Sequence, residues 1–189
     1  MPKIILFIYS FSLLFFSCQG QNQQEGSGNK PKTNTGPVIN KFGAVYEVTE
    51  ADMKVHENDT LKVVFDVGKA FDDKNKTNLL IESAARFLNL HAQNGVPVQN
   101  IKVALVIHGG AAHDILKNSY YHEKFDADNP NALLLEELEK AGVDIYLCGQ
   151  TAAHRNITRE KALPQVKFAL SAMTALVKLQ NEEYRLINF

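Results

Sequence analysis

Short apolar runs alternate along residues 42–189 with longer segments whose apolar residues recur every three to four positions. The short runs are rich in β-branched and aromatic residues, which is typical of buried strands. The predicted strands are Leu61–Val67, Ile101–Ile107, Val143–Cys148, Val166–Leu170 and Tyr184–Ile187. Strands that alternate with helices at this spacing form a parallel sheet with helices on both faces. The pattern therefore predicts an α/β domain.

The longer segments predict the helices, because their apolar residues fall on one helical face and their ends carry capping or breaking residues. The predicted helices are Lys76–His91, Ala111–Lys117, Asn129–Ala141, Thr158–Ala162 and Ser171–Gln180. Between the second and third helices we predict an aromatic loop through Tyr120, Tyr121 and Phe125. A polar turn is predicted after Gly149, and residues 42–48 are predicted to add an edge strand.

The start of the chain has the pattern of an export signal. Lys3 precedes Ile4–Phe16, an apolar run that is shorter than the roughly 20 residues of a membrane-spanning helix. Ser17 and Cys18 follow the run and are similar to a bacterial lipoprotein cleavage site. We therefore predict a signal peptide over residues 1–17 and lipidation of Cys18. Ordinary secretion and an uncleaved anchor are the alternatives.

Residues 18–41 have almost no apolar side chains, and such a composition cannot offset the entropy of ordering the chain. We predict a flexible, lipid-anchored tether over these residues and a folded domain over residues 42–189. The predicted location is the cell envelope, as a periplasmic or outer-membrane-attached lipoprotein. The formal net charge of −1 becomes about −2 when Lys3 is lost, and this balance argues against a nucleic-acid partner, which would need a basic face.

The cysteine content singles out one thiol. The chain has two cysteines, and if Cys18 carries lipid then Cys148 has no partner within the chain. Exported proteins normally pair their cysteines or lack them. Cys148 is therefore either buried and inert or reactive for a purpose.

Chemistry is expected beyond the carboxyl ends of the strands, where open parallel sheets bind their ligands. Cys148 and His108 are the candidate catalytic residues, because each ends a predicted strand. The candidate binding residues, which flank these ends, are Asp66, Gly109, Gly110, Gly149, Gln150, His154 and Arg155. His108 or His154, with Arg155, would supply positive charge that favours a thiolate, as would a helix that starts near Gly149.

The sequence gives less support to other uses of the same residues. Gly109 and Gly110 precede a predicted helix and are suited to hold an anion, but no full dinucleotide or phosphate-loop signature is present. A zinc site from Cys148, His108, His113 and His154 lacks the usual Cys-x-x-Cys spacing. We therefore predict neither a metal nor a cofactor. The chain also has no Gly-x-Ser-x-Gly elbow, which disfavours a serine hydrolase.

Several segments resemble the DsrE/DsrF-like family, in particular its exported branch. They are Val63–Val67, Val106–Ala111, Asn129–Asn131, Ala141–Gln150, Leu170–Thr174 and Gln180–Tyr184. The Cys148-Gly149-Gln150 sequence at a strand end is the most specific of them, and the resemblance covers nearly all of residues 60–189. It implies a three-layer α/β/α fold on a five-stranded parallel sheet, assembled into homo-oligomers, either trimers or hexamers.

Cytoplasmic members of the family are sulfur-relay proteins, in which a cysteine in this region carries sulfur as a persulfide. By position, Cys148 would be that cysteine. The leading hypothesis is therefore a thiol-based sulfur or redox carrier, sulfurtransferase-like, with a sulfur donor or acceptor protein as its partner. One alternative is a non-catalytic module of the cell envelope that binds a small ligand or a metal. A second is a structural envelope oligomer.

Overall fold

The computed structural model describes residues 32–189. The predicted signal peptide, the predicted lipidation site Cys18 and most of the predicted tether lie outside the described residues. Within residues 32–189, no helix is both long and apolar enough to cross a membrane.

Strands and helices alternate through most of the described chain. In chain order they are β1 (Thr33–Asn34), β2 (Val45–Tyr46), β3 (Leu61–Val67), α1 (Leu79–Gln93), β4 (Ile101–Ile107), α2 (Asn118–Phe125), α3 (Ala132–Lys140), β5 (Asp144–Cys148), α4 (Gly149–His154), β6 (Lys167–Ala169), α5 (Ala172–Asn181) and β7 (Arg185–Ile187). Two short 3-10 turns, Val98–Asn100 and Gly109–His113, lie on either side of β4.

The central sheet has five strands in the order β6-β5-β4-β3-β7. Every neighbouring pair in it is parallel. The predicted α/β fold with a five-stranded parallel sheet is therefore confirmed. Strands β3 and β4 have the predicted bounds, and the other three strands are one or two residues shorter than predicted.

The order of the strands decides which face each helix covers. The chain steps from β3 to β4, β5 and β6 in one direction and then returns to β7 at the opposite edge. Because crossovers between parallel strands are right-handed, the return connection lies on the other face of the sheet. Helix α5 is that connection, and it packs on β3, β4 and β5. Helices α1 and α3 cover the face that α5 does not.

The face beneath α1 and α3 holds the larger core. Helix α1 begins at Asn78, whose side chain accepts a hydrogen bond from the N–H of Leu80, and it buries a continuous apolar stripe. The residues that α1 and α3 contribute to this core are Ile81, Ala84, Ala85, Leu88, Leu134, Leu135 and Leu138. The face beneath α5 holds a smaller core of mostly short side chains: Val64, Ala104, Val106, Cys148, Ala172, Ala175 and Leu179.

Buried polar side chains join the starts of α1 and α3. The Nδ2 of Asn78 donates to the Asp114 carboxylate at 2.6 Å, and the backbone N–H of Asn78 donates to Oδ1 of Asn131 at 2.7 Å. The Nδ2 of Asn129 donates to the carbonyl oxygens of Asp114 and Leu116. These bonds satisfy polar groups that would otherwise be costly to bury.

Four predictions about helices and turns were wrong. The predicted aromatic loop is helix α2, in which Tyr121 and Phe125, four residues apart, lie on one face with ring centroids 4.7 Å apart. The predicted polar turn after Gly149 is helix α4, and residues 158–162 form turns instead of the predicted helix. The helix predicted at Ala111–Lys117 is the 3-10 turn Gly109–His113.

The segment before β3 also differs from the prediction. Strand β2, at the predicted edge strand, pairs antiparallel with β1 in a separate two-stranded sheet and does not extend the main sheet. Ile39, within the predicted tether, is 1% exposed. Its N–H donates to Oδ1 of Asn89 on α1 at 2.9 Å. The packed domain therefore includes residues before 42, because a long-range contact orders a segment whose composition is mostly polar.

Candidate functional site

The strand register brings Asp66, His108 and Cys148 to one face of the sheet. Ile107 lies opposite Leu147, so His108 and Cys148, one residue further on, are side by side at the ends of β4 and β5. Asp66 lies opposite Val106. Because side chains alternate along a strand, Asp66 and His108 face the same way as Val106, which is the side covered by α5.

These three residues line a cavity of about 310 Å³, which we call the thiol cavity. The remaining lining residues come from the start of α4 and from α5: Gln150, Ser171, Ala172, Met173 and Leu176. Ser171 begins α5 by accepting a hydrogen bond from the N–H of Thr174, so α5 starts at the cavity. The thiol cavity therefore has polar groups on the sheet side and mainly apolar groups on the helix side.

Asp66 fixes the orientation of the His108 ring. The Nε2 of His108 lies 2.7 Å from Oδ1 of Asp66, and both side chains are partly exposed. The ring also lies against Gly68, where an added Cβ would come 2.8 Å from Cε1 of His108. Any side chain at residue 68 would therefore displace the imidazole. With Nε2 bonded to the carboxylate, Nδ1 is the ring nitrogen left to exchange a proton.

The Cys148 thiol is almost buried, at 5% exposure, and is held by several hydrogen-bond donors. Cys148 caps helix α4, and its Sγ accepts a hydrogen bond from the N–H of Thr151 at 3.5 Å. Burial is the largest single influence on the thiol, and it raises the pKa. Donors near the sulfur, first the Thr151 side chain and then the N–H groups of Thr151, Ala172 and Gln150, outweigh this effect, so the pKa lies below its ordinary value. The donor set therefore favours a thiolate.

The glycines predicted as binding residues shape the backbone. Gly109 has a φ of 52°, and its N–H donates to Oγ1 of Thr151 at 3.3 Å. The N–H of Gly110 donates to the Gly68 carbonyl at 2.8 Å. Both N–H groups are therefore used inside the protein, which removes the anion cradle considered above. At Gly149 an added Cβ would come 2.5 Å from the Ala169 carbonyl oxygen, so only glycine lets α4 start beside β6.

His154 and Arg155 are not at the thiol cavity, contrary to the prediction. Helix α4 starts beside Cys148 and carries both residues to its far end, where they are exposed. His113 lines a different cavity. The proposed zinc set is therefore not assembled, and within residues 32–189 no three His, Cys, Asp or Glu side chains are grouped so as to hold a metal ion.

The sequence did not identify Thr151 or the α5 residues as parts of the site. Thr151 stands three residues after Cys148, the spacing at which a capping residue accepts a backbone N–H, and this signal was available. Met173 and Leu176 reach the cavity because α5 crosses the sheet from β6 to β7. Only the strand order reveals that crossing.

The chain was compared with known proteins. The sequence model of the DsrE/DsrF-like family matches residues 62–189. No curated protein matches the chain. Among solved structures, the chain is similar to MTH1491 from Methanobacterium thermoautotrophicum, described as a protein of unknown function, with 21% identity and a TM-score of 0.52. It is also similar to the YchN protein from E. coli, with 18% identity and a TM-score of 0.50. Each match covers 68% of this chain and 99% of the other, and at these identities it shows the fold alone.

Proposed function

The chain belongs to the DsrE/DsrF-like family, and on that premise we propose that it is a thiol-based sulfur or redox carrier whose carrier atom is the Cys148 sulfur. The observation that carries the proposal is the hydrogen-bonded thiol in the thiol cavity. A structural cysteine packed among apolar groups would have a raised pKa, whereas donors around Cys148 lower it. The family suggests sulfur relay, and the donor set supports this residue as the carrier.

The transfer step follows from thiol–disulfide chemistry. The Cys148 thiolate attacks the outer sulfur of a donor persulfide, and a new sulfur–sulfur bond forms as the bond within the donor breaks. The donor leaves as a thiolate, and Cys148 becomes a persulfide. A thiolate of the acceptor then attacks the outer sulfur, and Cys148 leaves as a thiolate. No external oxidant is needed, because the sulfane sulfur keeps its oxidation state through both steps.

His108 is placed to accept the proton that the Cys148 thiol loses in this step. The resting thiol must lose its proton before it attacks, and the imidazole is a proton-accepting group that lines the same cavity. Asp66 holds the ring through Nε2 and leaves Nδ1 for the proton. In this proposal His108 is the proton acceptor and Asp66 is a positioning residue.

The experiment is to incubate the protein with a persulfide or polysulfide donor and to measure its intact mass before and after reduction. We expect a reducible gain of one sulfur atom per chain, which Cys148→Ser abolishes. Cys18→Ser is the matched control, because it removes the other cysteine and should leave the gain unchanged. Alkylation of Cys148 should titrate at a lower pH than alkylation of an unperturbed cysteine, because the pKa of the thiol is lowered.

Two outcomes would contradict the proposal. One is a Cys148 thiol that neither accepts sulfur nor forms a mixed disulfide in the folded protein. The other is alkylation that titrates at or above the ordinary thiol pKa. A non-catalytic module that binds a small ligand in the thiol cavity would then be favoured, because the cavity and its apolar α5 side do not depend on thiol reactivity.

We also propose that the domain acts in the cell envelope, as a lipoprotein anchored through Cys18, and as a trimer or hexamer. The apolar run before Cys18 supports the anchor. Three exposed apolar side chains support self-association. Met173 and Val177 lie on α5, and Leu170 lies just before its capping residue. Mass spectrometry of the mature N-terminus and membrane fractionation of Cys18→Ser test the anchor. An intact Met1 in soluble protein would exclude it.

A further inference from the structure

A second cavity, of about 280 Å³, lies at the other end of α4 from the thiol. It is formed by the 3-10 turn after β4, by α2 and by the chain that follows α4. The ionisable side chains that line it are His113, Tyr120, Glu123, Lys124, Arg155 and Lys161. We call it the basic cavity.

The cations of the basic cavity lack carboxylate partners. In the described part of the chain, none of Lys124, Arg155 and Lys161 lies within 4 Å of a carboxylate oxygen. The lining therefore has three positive charges against the single negative charge of Glu123, in a protein whose formal net charge is −1. A second carboxylate, Glu160, lies next to the lining and accepts a hydrogen bond from the Tyr120 hydroxyl at 3.3 Å, which leaves one net positive charge. Lys161 is held in place, since its Nζ donates to the Asn156 carbonyl at 2.9 Å.

The pKa of His113 is lowered by burial and in part by the positive charges around the cavity. The ring is half-buried and packs edge-on against Phe125, with centroids 5.7 Å apart. Burial lowers the pKa of His113 to about 4, and repulsion from Lys124, Arg155 and Lys74 contributes to the shift. At neutral pH the imidazole is therefore uncharged and adds a neutral N–H donor beside the cations.

We propose that the basic cavity is a binding site for a small dianionic oxyanion of the phosphate or sulfate type. The planar guanidinium of Arg155 presents paired donors that match two oxygens of such an anion, and Lys124 and Lys161 balance its charge. The volume is at the small end of the range for ligand cavities, which suits an inorganic ion or a short phosphate ester.

This site is separate from the thiol chemistry. Helix α4 has six residues, so Arg155 at its end lies roughly 10 Å along the helix axis from Cys148 at its start. Charges that far apart are largely screened at physiological ionic strength, where the Debye length is about 8 Å. Anion binding should therefore change the alkylation rate of Cys148 less than about twofold, and either proposal can fail without the other.

The test is a titration of the full-length protein with inorganic phosphate and with sulfate at constant ionic strength. Calorimetry measures affinity, and NMR follows the His113 ring. We expect saturable binding that raises the pKa of His113, because a bound dianion opposes the surrounding cations. Methyl phosphate separates the sources of the ligand: affinity similar to that of phosphate indicates a phosphate group on a larger molecule, and selective binding of inorganic phosphate indicates the free ion.

Variants that each remove one positive charge test whether phosphate binds in the basic cavity. Arg155→Gln and Lys124→Gln each remove one cation from the exposed rim of the cavity and should weaken phosphate binding by about tenfold. Lys102→Gln removes the same charge from the exposed start of β4, at the opposite end of the sheet, and should leave affinity unchanged. The proposal would be overturned if chloride shifted the His113 signals as much as phosphate does, or if Arg155→Gln bound phosphate with wild-type affinity.

Discussion

The two faces of the sheet are covered to different depths. Under α1 and α3 most of the helical core residues are long, and Leu134, Leu135 and Leu138 of α3 are all at 0% exposure. Under α5 the helix contributes Ala172, Ala175 and Leu179, with exposures between 6% and 9%. The first face is therefore filled and sealed, whereas the second is thinner and closer to solvent.

The two faces therefore have different roles: the α1/α3 face stabilises the fold, and the α5 face holds the thiol cavity. Long side chains on the α1/α3 face remove most of the apolar surface from water and carry the larger share of the folding free energy. Short side chains at the start of α5 leave room beside the sheet, and the thiol cavity occupies it. Asp66 and His108 are therefore partly exposed, and Cys148 lines the cavity although it is almost buried, because α5 does not fill the space above them.

The largest expected effect is the loss of a core leucine from the filled face. Leu135→Ala should lower the free energy of unfolding by about 2–5 kcal/mol, since it removes buried methylenes and leaves a cavity. Leu176→Ala is the matched change on the α5 face, where the residue is only partly buried and already lines a cavity, so we expect a loss of about 1 kcal/mol. Urea denaturation measures both. Equal losses would show that the two faces contribute alike.

The next effect concerns Asp114, in the polar network on the filled face. Burial raises the pKa of this carboxyl to about 6, although the hydrogen bond from Asn78 acts in the opposite direction. Between about pH 4 and pH 6 the folded protein retains a proton that the unfolded chain releases. Stability therefore falls as pH rises through this window, by up to about 3 kcal/mol.

Asp114→Asn should remove this dependence, because the amide keeps an acceptor for Asn78 and cannot ionise. We expect the variant to be more stable than the wild type at pH 7 and nearly as stable at pH 4. Denaturation curves at several pH values measure the slope. Asp52→Asn, which changes an exposed carboxylate, is the control and should keep the wild-type slope. A wild-type slope in Asp114→Asn would contradict the assignment.

The local sequence pattern predicted the centre of the sheet well and its surroundings less well. Strands β3 and β4 are seven-residue buried runs, and such runs leave little choice of secondary structure. Alternation along them also places Asp66 and His108 on one face. Helix α4 has only six residues, too few for a periodic signal, so a polar turn was predicted in its place. His154 and Arg155 were for that reason predicted at the wrong end.

Long-range contacts account for the other differences. Ile39 stands in a mostly polar segment, and its burial depends on Asn89, fifty residues away in the sequence. The α5 side of the thiol cavity depends on β6 and β7 lying at opposite edges of the sheet. Local patterns contain neither relation, because each involves residues that are far apart along the chain.

The smallest expected effect on stability concerns the outer surface of α5. Met173 and Val177 are 75% and 57% exposed there, four residues apart on one face of the helix, and exposed apolar patches are typical of interaction surfaces. If this surface joins copies of the chain, Met173→Glu places a charge in an apolar interface and should shift the protein to monomers in sedimentation experiments.

The free energy of unfolding of the monomer itself should change by less than about 0.5 kcal/mol, because residue 173 is mostly exposed within one chain. Leu133→Glu is the control: it makes the same kind of change at an exposed position on α3, over the filled face, and should leave the assembly intact. If Met173→Glu assembles like the wild type, the exposed α5 surface has another purpose. A shift caused by Leu133→Glu alone would place the interface over the filled face.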